Sequence, residues 1–142
     1  MNPTSKTGAK DILDQIHERA QTVWKSKDDP ETLSRVLVEL AGLNWGLGQW
    51  LADAEEAERD LKTEYEYHRA KFMNEQTETA GSVAKAEILA TLDDNLKEEK
   101  KEYNVVKHGL ELYKLRRRDT DKLMDAIRSR LSLIKQDIRN EP

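Results

Sequence analysis

The sequence predicts an all-α protein: a long antiparallel, coiled-coil-like helical hairpin with a short N-terminal helix packed at its base. Three observations carry that expectation. Apolar residues recur at alternating spacings of three and four along two long stretches. The 142 residues include only three prolines and six glycines, too few for a turn-rich β fold. Hydrophobic and charged residues each make up 37% of the chain, a ratio that suits thin helical layers better than a large core.

Residues 1–10 are polar and read as a disordered tail, and residues 11–142 as a single helical domain. The first helix is expected over about 11–25, where Ile12, Leu13, Ile16, Ala20, Val23 and Trp24 return at helical spacing. Ser26 to Glu31 then breaks the chain and restarts it. Asp29 stands as N-cap, Pro30 at the first helical position and Glu31 as an acid in the first turn.

The second helix is expected over about 31–78. Its seam runs through Leu33, Leu37, Leu40, Asn44, Leu47, Leu51, Ala54, Glu58, Leu61, Tyr65, His68 and Phe72. Gly81 and Ser82 offer a flexible residue followed by a cap, and a third helix is expected over about 83–138. Its seam passes from Leu89, Leu92 and Leu96 through Arg117 and Thr120 to Ile134 and Ile138.

A reversal at Gly81 sets Asn44 level with Arg117 and Arg118, so the polar break in one seam meets the polar break in the other. Asn44 and Arg117 are therefore expected to form a register layer. By the same offset Glu58 falls near Tyr103. Val36, Leu43 and Trp50 widen the apolar face of the second helix beyond what a two-helix contact buries, which calls for the N-terminal helix as cover. Leu43, Trp45 and Trp50 are the candidate partner surface, and association of two copies through this Trp-bearing base is a further expectation.

Few functions that require special chemistry survive inspection. There is no cysteine, so disulfides, thiolate metal sites and thiol catalysis are excluded. The histidines do not assemble a paired carboxylate and Glu-x-x-His set, and no Gly-rich phosphate loop, H-E-x-x-H or nucleophile elbow occurs. No enzyme, cofactor or metal is expected. No stretch nears the roughly 20 apolar residues of a membrane span, and a cytoplasmic protein without membrane contact is expected.

The net charge of −4 hides an uneven distribution: −1 over residues 1–52, −7 over 53–102 and +4 over 103–142. Lys107, Lys114, Arg116, Arg118 and Lys122 are candidate phosphate contacts within the basic end. Asp119, Asp121 and Asp125 dilute that field.

Several segments carry a likeness to known proteins: Leu40-Ala41-Gly42-Leu43-Asn44-Trp45, the run from Tyr65 to Met73, Val83 to Glu87, Lys114 to Leu123, and Ser129 to Ser132. Together, across about residues 35–135, they resemble small helical proteins of bacteriophages and prophages, often encoded among early, recombination or replication genes. The resemblance implies a host-cytoplasmic accessory role in DNA metabolism and carries over no functional residue. The expected function is thus a non-enzymatic helical adaptor that binds another protein, within a DNA recombination or replication assembly. Direct nucleic-acid binding through the basic face around 114–122 is one alternative. Inhibition of a host nucleic-acid-processing protein by the acidic middle is another.

Overall fold

The computed structural model describes residues 3–26 and 28–141, with side chains from Gly8 onward. Four helices follow one another: α1 (Pro3–Lys25), α2 (Pro30–Ala80), α3 (Val83–Leu92) and α4 (Asp94–Asn140). No strand occurs among the described residues. The chain divides into two compact units, residues 1–52 with 113–142 and residues 53–112, where the sequence reading has one domain.

In the first unit α1 begins at Pro3, well before the expected start near residue 11, so most of the expected disordered tail is helical. Met1 and Asn2 of that tail lie outside the described residues. Ala9 explains the longer helix. It is fully buried and stands seven residues before Ile16, which stands seven before Val23, so one buried row continues from Val23 back to Ala9, beyond the expected start. That row packs α1 against α2: Arg19 pairs with Glu39, and the Ile12 side chain lies 3.6 Å from where a Cβ on Gly46 would sit.

Asp29 starts α2 as its sequence requires. Its carboxylate accepts from the Thr32 N–H at 3.3 Å and from the Thr32 hydroxyl, and its carbonyl accepts from Leu33 N at 3.0 Å. Asp28, just before, adopts the left-handed region at φ 64° and accepts from Arg130 Nε at 2.7 Å, which ties the turn to α4. Leu33, Val36, Leu40, Leu47 and Ile127 are the largest fully buried side chains, and all belong to this unit.

The second unit has a thinner interior, in which Ala54, Ala86, Ala90, Leu96 and Leu110 are the buried apolar residues. Gly81 ends α2 in the left-handed region at φ 76°, a conformation that costs a Cβ-bearing residue. Its N–H reaches Thr77 O at 3.0 Å, and Ser82 Oγ accepts from Lys85 N at 3.2 Å to cap α3.

The single helix expected over 83–138 is divided at Asp93. This residue takes an extended conformation, and its N–H donates to Ala90 O at 3.3 Å, closing α3. Its carboxylate then accepts from Leu96 N at 3.0 Å, opening α4. The break also resets the helical phase. Leu89 and Leu92, expected in the seam, are exposed, and Ala86 and Ala90 occupy the inner positions instead.

Candidate functional site

The outer face of α2 in the first unit carries an apolar stripe that nothing in that unit covers. Val38, Ala41, Gly42 and Trp45 follow the i, i+3, i+4, i+7 spacing of one helical face, and all four are exposed. Val38 is 73% exposed and Trp45 69%. On the opposite side of the same turns Leu40, Asn44 and Leu47 are buried, so α2 is apolar on two faces and has a packing partner for one. Open space surrounds Gly42, which leaves the helix backbone approachable at the centre of the stripe.

The three residues expected to form a partner surface separate here. Trp45 lies on the stripe. Leu43 is half-buried between the two faces. Trp50 turns inward, its ring meeting Tyr113 edge-on at a centroid distance of 4.7 Å and an angle of 71°, and its indole N–H is buried without an acceptor. Trp50 thus packs within this unit, its heptad phase placing it beside the seam, whereas Trp45 sits outside it.

The register layer is polar but paired differently from the expectation. Asn44 donates through Nδ2 to Asp121 Oδ1 at 2.8 Å, one helical turn from Arg117. Arg117 lies over Gly48 instead, where a Cβ would stand 2.7 Å from its Nη2. The observed partner of Asn44 thus lies three to four residues beyond the position that a reversal centred on Gly81 assigns to it. In the second unit the expected neighbours do meet: the Tyr103 hydroxyl is bonded to Glu58. Desolvation, followed by that carboxylate, raises the Tyr103 pKa above its ordinary value.

The basic residues do not form one uninterrupted face. Lys114, Arg118 and Lys122 share a stripe of α4 by their spacing of four and are exposed. Asp125 stands on that same stripe and pairs with Arg128 at 2.9 Å. Arg116 points elsewhere. It makes a 3.9 Å ion pair with Asp119, and both border a groove of about 510 Å³ between α1 and α4 whose floor includes Leu13, Ile16 and Leu123. Lys107 is exposed and belongs to the second unit.

That second unit holds a wide acidic depression of about 530 Å³ in which His68 Nδ1 meets the Glu99 carboxylate at 2.7 and 2.9 Å. Among the described residues no group of three or more His, Cys, Asp or Glu is arranged to hold a metal ion, and no helix is long and apolar enough to cross a membrane. No family model, no curated protein and no solved structure matches the chain.

Gly42 stands in the sequence as a point of close helix approach, within a segment from Gly42 to Trp50 read as packing or partner site, whereas Val38 and Ala41 carry no such reading. A signal for both exists: once Leu40, Asn44 and Leu47 are set in the seam, Val38, Ala41, Gly42 and Trp45 fall on the outer side by phase alone.

Proposed function

We propose that the chain is a non-enzymatic, phage-type helical adaptor of the cytoplasm that binds another protein within a DNA recombination or replication assembly. The observation that carries this reading is the open stripe of Val38, Ala41, Gly42 and Trp45 on a helix whose other face is already packed. Helices recognised in grooves present their anchors at this spacing. An exposed tryptophan at its end is the residue type most enriched among energetic hot spots.

The scaffold of this adaptor is an antiparallel, coiled-coil-like hairpin of α2 against α3 and α4. Support comes from each unit separately. Asn44 meets Asp121 and Trp50 meets Tyr113 in the first, while Glu58 meets Tyr103 and His68 meets Glu99 in the second. In the first unit the residue number falls on α4 as it rises on α2.

Nucleic-acid binding through 114–122 is the competing reading, and the ion pair of Arg116 with Asp119 and the presence of Asp125 on the stripe of Lys114, Arg118 and Lys122 speak for the adaptor. The test is capture of partners from cells that naturally contain the chain, with the wild type beside the Val38→Glu/Trp45→Glu double variant. A protein retained by the wild type and lost by the variant is the expected result. Binding of duplex DNA with a steep salt dependence, unchanged in the variant, would favour the alternative. Sedimentation of the wild type as a dimer that the variant dissociates would assign the stripe to a second copy.

A further inference from the structure

Helix α3 is built with its polarity reversed. In most surface helices the bulky apolar residues face the core and the outer face is polar. Here the inward residues are Ala86 and Ala90, the smallest apolar side chains available, while Ile88 and Leu92 are each 61% exposed and Val83 and Leu89 are exposed as well. By helical phase Ala84, Ile88 and Leu92 lie opposite Ala86 and Ala90, with Leu89 on one flank. The sequence has Leu89 and Leu92 in step with the seam of α4, and the break at Asp93 turns both outward.

The segment is also self-contained. Ser82 caps its start and the Asp93 N–H donates to Ala90 O at its end, so each terminus has a cap of its own. Its surroundings are acidic: residues 78–98 hold Glu78, Glu87, Asp93, Asp94 and Glu98 against Lys85 and Lys97.

We propose that the outer face of α3 docks as a preformed helix into a groove of a partner protein, apolar along its floor and lined by Lys and Arg at its rim. The proposal rests on the adaptor reading above and adds a surface in the other unit. Charge selects this occupant. The second unit has sixteen acidic and nine basic residues, so a second copy would bring −7 against −7. Area agrees: Ile88, Leu89 and Leu92 expose on the order of 300 Å², more than a third of the roughly 800 Å² that each partner contributes to a stable interface. A groove adds its walls to the contact, which a second convex helix does not. An anionic membrane surface is repelled by the same acids that a basic rim attracts.

The experiment uses the full chain with a benzophenone amino acid in place of Ile88 or, as a control in the same unit, of the exposed Lys62. After irradiation in cells that naturally contain the chain, adducts are identified by mass spectrometry. The captured protein is then purified for affinity measurement against wild type, Ile88→Glu/Leu92→Glu and Val38→Glu/Trp45→Glu. Support consists of an adduct at 88 and not at 62, on apolar residues neighboured by Lys or Arg. Affinity should fall at least tenfold in Ile88→Glu/Leu92→Glu with helix content and melting unchanged, and should weaken with salt.

Adducts to a second copy, adducts to lipid, no adduct at 88, or undiminished affinity of the α3 variant would each overturn the proposal. If the Val38/Trp45 variant alone loses the partner, the adaptor reading survives and the α3 proposal falls. If neither variant matters for any protein, both fall.

Discussion

Asn44 and Asp121 join α2 to α4 through a single 2.8 Å hydrogen bond in which only half of the buried amide is satisfied. Nδ2 donates to the Asp121 carboxylate, and Oδ1 is buried with no donor. The two substitutions at this pair should therefore act in opposite directions. Asn44→Leu removes the orphaned acceptor and leaves Asp121 exposed to water, and urea unfolding should show it equal to or more stable than wild type by about 1 kcal/mol. Asp121→Ala leaves both amide atoms buried and unpaired, a loss of roughly 1–3 kcal/mol. A neutral Asp121→Ala would remove the pair from the packing of this unit.

Gly48 and Arg117 form a second cross-helix relationship, one of space rather than hydrogen bonding. A methyl group at position 48 enters the volume of the guanidinium, whose flexible stem can move aside. Gly48→Ala should gain helix propensity of about 1 kcal/mol when introduced into an Arg117→Ala chain, and distinctly less in the wild type. A double-mutant cycle by chemical denaturation reads the difference as a coupling energy. Equal gains in both backgrounds would show that Arg117 yields its place at no cost.

Acid should act on the start of α2. The Thr32 hydroxyl, and then the backbone N–H groups of Thr32 and Glu31, hold the Asp29 carboxyl below its ordinary value, against a smaller opposing effect of desolvation. A group whose folded value is depressed stabilises fully above its unfolded value, about 3.9, and loses that contribution as the pH falls through the folded value. Melting of Asp29→Ala should thus lie a few degrees below wild type between pH 5 and 7, with the gap closing below about pH 4. Asp29→Asn, which caps without a charge, should keep its advantage over Asp29→Ala across the whole range.

Much of the helical frame was legible because its signals are local. Asp29-Pro30 and Gly81-Ser82 are residue types whose backbone preferences act without help from the rest of the fold. The break at Asp93 was concealed by Leu89, Leu92 and Leu96, which continue the heptad spacing across it. Asp93-Asp94-Asn95 is nevertheless a run of residues that compete for backbone hydrogen bonds. The start of α1 is not legible because Ala9 is small, and small apolar residues add little to a hydrophobic periodicity. Among the tryptophans, composition grouped Trp45 with Trp50, and only their different phases relative to Leu40, Asn44 and Leu47 separate an outward ring from an inward one. The partner of Asn44 depended on the register between helices, which no local signal carries.

Asp93 closes one helix and opens the next, and that arrangement makes residues 83–92 a cassette. A change of side chain within the cassette is not transmitted to the heptad phase of α4, because the extended residue at its end absorbs the mismatch. Selection can therefore exchange the outward residues of this segment at little cost to the frame that displays it, while Ala86 and Ala90 stay fixed by their burial. Recognition and folding are thereby placed in separate stretches of sequence, free to drift at different rates.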